Sequence, residues 1–170
     1  TIQGEGFHTG KHAVFCRFSG CNLWTGLEKD RKNAICNFCD TDFVGTDGVN
    51  GSKYANAELL ANKIDKVWDK NLNEKFVVFT GGEPLLQLDK PLVDLLHKKK
   101  FKVAIETNGT ILPPENIDWI CVSPKQGADF NLKYGNELKL VYPQKGLDPK
   151  NFKHLDFDHF FLQPMDGKDL

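Results

Sequence analysis

The chain has 170 residues, 40% of them hydrophobic, with 22 Lys plus Arg against 23 Asp plus Glu and a net charge of −1. That length fits one domain, residues 1–170, with apolar residues enough for a core. The charge balance gives no electrostatic case for nucleic acid or a membrane surface, and no run approaches the ~20 apolar residues of a membrane span.

Ala13–Phe18 is predicted as a first strand. Residues 20–53 are rich in Gly, Asn and Asp and read as a long loop, which is where function tends to sit. Asn56 is placed to cap a helix whose apolar stripe runs Leu60, Ile64, Val67, Trp68. Phe76–Thr80 is a continuous apolar run and reads as a buried parallel strand. A second helix is expected over about Lys90–Lys99, where the lysine run Lys98–Lys100 suits a helix C-terminus. Further strands are expected at Lys102–Glu106, Trp119–Val122, Leu138–Tyr142 and His159–Leu162. Strand–helix alternation implies parallel βαβ units, and the later strands have little helical sequence between them. The expected fold is α/β: a partial (β/α) barrel with a parallel sheet of about six strands and about three helices. The chain starts at Thr1 rather than Met and stops soon after Asp166, so truncation at both ends is expected. No signal peptide is visible, and the cytoplasm is the default location.

Polar clusters follow the strands: Thr80-Gly-Gly-Glu-Pro84, Glu106-Thr-Asn-Gly109, Ser123-Pro-Lys125 and Gln163-Pro-Met-Asp166. They gather at the C-terminal ends of the strands, where barrel enzymes place their sites. The chain has five cysteines, and Cys21, Cys36 and Cys39 fall close together in the loop. An odd count with this clustering favours metal binding over a disulfide framework. Three thiolates suit a soft metal. A structural zinc site takes four ligands, and His8 or His12 is available as a fourth. A three-cysteine site can instead hold an iron–sulfur cluster with one iron left open for a substrate, and a redox Cys-x-x-Cys, weakened by the extra cysteine, is a third reading. The cysteines alone leave these open. Cys16 and Cys121 lie in apolar strands and read as core. The histidines show no metal spacing.

The Gly81–Gly82 pair lets backbone approach a ligand, or simply makes a tight turn. Glu83 is placed to hold an ammonium. Glu106 ends an apolar strand and either caps a backbone group or binds a hydroxyl. Lys125 faces either a ligand carboxylate or water. Ile2-Gln-Gly-Glu-Gly6 has two glycines framing Glu5, as in a loop held against a ligand. Arg17 points opposite to Cys16 and Phe18. It is either aimed into a barrel, where it suits bidentate carboxylate recognition, or outward and paired with an acid.

Taken in order, the three cysteines, Gly81-Gly82-Glu83 and Glu106-Thr-Asn-Gly109 resemble the radical SAM (S-adenosylmethionine) superfamily. Ile2-Gln-Gly-Glu-Gly6, Arg17-Phe-Ser-Gly-Cys-Asn-Leu23, Cys39-Asp-Thr41, Thr80-Gly-Gly-Glu-Pro-Leu85, Ser123-Pro-Lys125 and Gln163-Pro-Met-Asp166 extend the likeness. With them the chain resembles the 7-carboxy-7-deazaguanine synthases of queuosine and 7-deazapurine biosynthesis over nearly its whole length. One departure stands out. The superfamily pattern is Cys-x3-Cys-x2-Cys, whereas 14 residues separate Cys21 from Cys36 here, which implies an insertion at about 23–35. Cys16 is the rival first ligand, but Cys21 has the family's Ser-Gly-Cys-Asn-Leu context.

The resemblance implies a 4Fe–4S cluster on Cys21, Cys36 and Cys39, whose open iron chelates SAM and cleaves it to methionine and a 5′-deoxyadenosyl radical. It places Gly82 and Glu83 at the methionyl ammonium, Phe38, Cys39 and Asp40 at the adenosyl part, and Glu106 and Asn108 at ribose or methionine. Ser123, Pro124, Lys125, Gln163, Pro164, Met165 and Asp166 close that pocket. The implied substrate is 6-carboxy-5,6,7,8-tetrahydropterin, which loses hydrogen to the radical, contracts its ring and releases ammonia as 7-carboxy-7-deazaguanine. Ile2, Gln3, Gly4, Arg17 and Thr80 are the implied substrate set, with Arg17 on a carboxylate. Thr41 is the implied Mg²⁺ ligand, in a site expected to form only with substrate. A flavodoxin or ferredoxin as reductant and a homodimer are also implied. The alternatives are a radical SAM activase of a glycyl radical enzyme and a non-catalytic zinc module.

Overall fold

A computed structural model describes residues 1–165. Its centre is a six-stranded sheet: β1 (Val14–Phe18), β2 (Lys75–Gly81), β3 (Phe101–Thr107), β4 (Trp119–Val122), β5 (Tyr134–Tyr142) and β6 (Asp156–Pro164). The spatial order is the chain order, and every neighbouring pair is parallel. The sheet is therefore an open partial barrel with β1 and β6 at its edges. Six strands match the number expected. Among the described residues there are two α-helices, α1 (Ala57–Val67) and α2 (Lys90–Lys98), and three 3-10 turns at Glu28–Asn33, Pro84–Leu86 and Pro149–Phe152.

Both helices start as the sequence dictates. The Asn56 side chain accepts from the Leu59 N–H and the Asp89 side chain from the Leu92 N–H. Each helix lays its apolar stripe on one face of the sheet, where Ala61, Ile64, Trp68, Leu92, Val93 and Leu96 meet Val77, Phe79, Val103 and Ile105. The stripe of α1 differs from expectation at one position. Val67, the last residue of the helix, is exposed, and the small Ala61 is the buried member. Strand β5 begins at Tyr134, four residues before the apolar run that marks it in the sequence. Asn136 and Glu137 lie ahead of that run but belong to the strand, and Glu137 is buried.

Among the described residues the other face of the sheet carries no helix. Alternation along each strand puts Phe15 and Arg17 of β1 on it, then Phe76, Val78 and Thr80 of β2, Ala104 and Glu106 of β3, Trp119 and Cys121 of β4, and Glu137 and Lys139 of β5. Ala13, Phe76, Val78 and Ala104, with Phe15 and Trp119, form its small apolar floor. The N-terminal segment covers that floor. Ile2 and His12 bridge antiparallel, Phe7 stacks on Trp119 at 4.9 Å and on His159 at 4.2 Å, and His8 lies 4.3 Å from Trp119. The inner face is thus apolar at the strand starts and polar toward their C-terminal ends. Among the described residues no helix is long and apolar enough to cross a membrane.

Candidate active site at the strand ends

The cysteine loop is seated on the Gly-Gly turn that follows β2. The Gly82 N–H donates to the Phe18 carbonyl at 3.1 Å and the Glu83 N–H to the Gly20 carbonyl at 2.9 Å. Gly81 has φ +135°, and a Cβ there would stand 2.1 Å from the Phe18 carbonyl oxygen. A Cβ on Gly82 would stand 2.0 Å from the Gly20 oxygen and 2.9 Å from the Cys21 Cβ. The glycines are required because two stretches of backbone cross here in direct contact. Gln87 adds a third tie, donating to the Ser19 carbonyl at 2.6 Å.

Glu83 is fully buried. Its Oε1 accepts from Thr107 Oγ1 at 2.7 Å and the Leu85 N–H at 3.0 Å, and its Oε2 from the Asn108 N–H at 2.8 Å. Burial pushes its pKa up, and those three donors partly offset the shift. The carboxylate so fastens the turn after β2 to the end of β3. Asn108 carries the connection onward. Its Nδ2 donates to Asn22 Oδ1 at 3.0 Å, and Asn22 Nδ2 donates to Thr110 Oγ1 at 2.8 Å. The residue next to Cys21 is therefore held by the Glu106–Gly109 loop.

Cys36 returns to the same place despite the long gap, because its N–H donates to the Leu23 carbonyl at 3.3 Å. Cys36 is buried, while Cys21 and Cys39 are partly exposed. The Cys36 and Cys39 thiols lie side by side and divide their protonation unequally. Contact with Cys36 lowers the Cys39 pKa to about 6, helped by Thr41, and Cys36 is driven up in return. Burial raises Cys21. Lys125 stands close enough to Cys36 and Cys39 for its charge to favour their thiolates, while burial lowers its own pKa. Its Nζ donates to the Ser123 carbonyl and Oγ, both at 2.7 Å. Gln144, just after β5, braces that loop, donating to the Pro124 carbonyl and accepting from the Gln126 N–H.

Among the described residues no three His, Cys, Asp or Glu side chains are drawn tightly enough to hold a single metal ion. His8, offered by the sequence as a fourth zinc ligand, is instead tucked beside Phe76 and Trp119 at the opposite end of the strands. The chemistry of the donor set, three thiols beside a lysine, fits an iron–sulfur cluster with an open iron and lacks the four ligands of structural zinc.

Of the residues expected on the substrate side, Arg17 and Thr80 share the inner face. Arg17 and Thr80 are register partners there. Arg17 is exposed, and among the described residues its guanidinium has no ion pair or hydrogen bond. Gln3 is buried and donates from Nε2 to Glu106 Oε1 at 2.8 Å. Gly4 has open space around it, whereas Gly6, at φ +67°, rides against the Glu137 carboxylate. Ile2 is exposed. Phe38 is half-buried and Asp40 exposed, flanking Cys39 in the chain. Gln163 and Pro164 end β6, Met165 follows it, and Asp166 lies outside the described residues. Cys16 packs against the helix-side core, as its strand position suggested. Cys121 is buried as expected, but in polar company: it is in register with Glu106 on one side and Glu137 on the other.

Lys139 is the site residue that sequence reasoning missed. It sits 2.7 Å from Glu5 and 3.7 Å from Glu106, with its side chain 7% exposed. Burial opposes its charge, but Cys121, Glu106 and Glu5 hold its pKa above the usual lysine range. Lys139→Met leaves those carboxylates without their cation. The expected cost is about 2 kcal/mol in denaturant melts, less than for a fully buried pair because Glu5 is half in water.

Comparison with known proteins closes the question of family. Residues 33–151 match the sequence profile of the radical SAM superfamily. A 7-carboxy-7-deazaguanine synthase from Bordetella pertussis is 60% identical over 167 residues, 98% of this chain and 80% of that protein. The chain belongs to the 7-carboxy-7-deazaguanine synthases of the radical SAM superfamily. A synthase of the same name from Bradyrhizobium diazoefficiens is 56% identical over 170 residues, covering 81% of its length. The crystal structure of QueE from Escherichia coli superposes with a TM-score of 0.71 at 28% identity, covering 98% of this chain and 81% of that one. Membership brings with it a 4Fe–4S cluster and SAM. It also sets the activase and zinc-module alternatives aside.

Proposed function

We propose that the chain converts 6-carboxy-5,6,7,8-tetrahydropterin to 7-carboxy-7-deazaguanine with loss of ammonia, as one radical SAM domain. The observation that carries this reading is the three-thiol loop that follows β1, together with an unengaged guanidinium on that same strand. Cys21, Cys36 and Cys39 hold the cluster. When bound, the cluster and SAM supply the radical that takes a hydrogen atom from the substrate. The protein's own part is to bind, orient and exclude. Backbone of the Gly81–Glu83 turn meets the methionyl group, and Glu83 keeps that turn in place. Phe38 and Asp40 flank the adenosyl moiety. Asn108, Ser123 to Lys125 and Gln163 to Met165 line the rest of the SAM pocket. Gln3 and Gly4 bring the N-terminal segment to the pterin, with Glu106 between the two ligands.

Arg17 takes the pterin carboxylate. Arg17→Ala is expected to raise the KM for the pterin by about ten- to a hundredfold, the worth of one charge-assisted bidentate contact. SAM cleavage without product should persist. Unchanged pterin affinity would overturn the carboxylate assignment. Thr41, adjacent to the Cys39 thiol, is the protein ligand for a Mg²⁺ that borrows its other oxygens from substrate and water. The reading also includes a homodimer, a flavodoxin- or ferredoxin-type electron donor and a cytoplasmic location. The direct test is anaerobic reconstitution with iron and sulfide, then incubation with the tetrahydropterin, SAM and a reductant. A brown protein forming 7-carboxy-7-deazaguanine and 5′-deoxyadenosine is expected. A reconstituted cluster that yields no deazaguanine would refute the substrate.

A further inference from the structure

The excursion between Leu23 and Cys36 is built around one side chain. Arg31 reaches back out of it to the turn that carries the second and third cysteines. Its Nη1 donates to the Asn37 carbonyl at 3.1 Å and to the Cys39 carbonyl at 2.9 Å. Its Nε donates to Glu28 Oε2 at 2.7 Å, which fixes the guanidinium from the far side. The ring of Trp24 lies beneath it at 4.0 Å, and Trp24 is itself buried, edge-on to Phe43 at 5.5 Å. A cation held by an aromatic face, a carboxylate and two carbonyls at once is a positioned group and not a solvated surface arginine.

We propose that Arg31 is a positioning residue for the cluster. It holds the Cys36–Cys39 turn in its ligating shape through two backbone carbonyls and sets a fixed positive charge beside the thiolates. The excursion is then a bracket for the ligand turn. Groups that orient metal ligands from behind typically change metal affinity by about ten- to a hundredfold when removed. A guanidinium does two separable things here. Its fork fixes geometry, and its charge favours the more reduced, more negative state of the cluster.

This inference rests on the cluster reading above, and the two fail differently. Wild type, Arg31→Gln and Arg31→Lys are reconstituted anaerobically, and iron release to a ferrous chelator and the midpoint potential are measured. Arg31→Gln is expected to release iron about tenfold faster and to show a more negative potential. Arg31→Lys, which keeps the charge and loses the fork, should recover most of the potential and little of the retention. In metal-free protein, alkylation of Cys36 and Cys39 should be faster in both variants while the melting temperature stays near wild type. If wild type takes up no cluster, the cluster reading itself falls. If wild type loads and both variants match it in release, potential and thiol reactivity, Arg31 has no such role.

Discussion

Cys39→Ala is expected to give a folded, colourless protein that cleaves no SAM. The site has three thiols and no reserve. Cys16 lies on the helix side of the sheet and Cys121 on its inner floor, each fixed by its strand. Among the described residues nothing stands by as a replacement ligand. The loss should therefore be complete and not graded. Stability should barely move, because Cys39 is partly exposed and touches Cys36 and Thr41 without joining any apolar cluster; substitutions at such positions stay within about 0.5 kcal/mol. The checks are iron and sulfide content after reconstitution, visible absorption, and 5′-deoxyadenosine formation against a matched thermal melt. An intact melt with a normal yield of 5′-deoxyadenosine would remove Cys39 from the ligand set.

Gly82→Ala should have the second-largest effect and the opposite signature. Its Cβ has nowhere to go, since the Gly20 carbonyl and the Cys21 Cβ already occupy the space. The obstacle is backbone, so the loop itself must shift. The expected penalty is about 2–3 kcal/mol, or about 5–10 °C in melting temperature at this chain length. Because the displaced segment carries Cys21, cluster uptake should fall with stability. Cys39→Ala thus separates ligation from folding, and Gly82→Ala joins them. A Gly82→Ala protein with an unchanged melt and full iron content would show that the crossing of the two loops is looser than drawn here.

The parts of this molecule that were legible in the sequence are those that local chemistry fixes. Phe76–Thr80 and Lys102–Glu106 read as strands because continuous apolar runs leave few other options, and the polar clusters after them marked the working end of the sheet. Asn56 announced α1 because a cap acts within one turn. What stayed hidden depends on partners far away in the chain. Lys139 looks like an ordinary polar residue in Leu138–Tyr142, and only its meeting with Glu5, 134 residues earlier, gives it a buried role. Glu83 read as a free carboxylate because nothing nearby in sequence reveals Thr107 and Asn108 as its donors. Asn22, Gln87 and Gln144 were passed over for the same reason. Val67 was assigned to the buried stripe by spacing, but it closes the helix and faces water, while Ala61 was too small to draw notice.

The bond between Leu23 and Cys36 has a consequence for how such proteins are found and how they diverge. Once the two ends of an excursion are pinned together and its Arg31 is fastened to the ligand turn, the length of the remainder is set by polymer statistics and hardly by the site. Doubling a flexible loop adds only about 0.6 kcal/mol of closure entropy. Chains can therefore lengthen or shorten this segment at little thermodynamic expense while the ligand geometry stays put, and the number of residues between the first two cysteines becomes a poor identifier of the chemistry. The profile match is consistent with this: it begins at residue 33, after nearly all of the excursion and beyond Cys21.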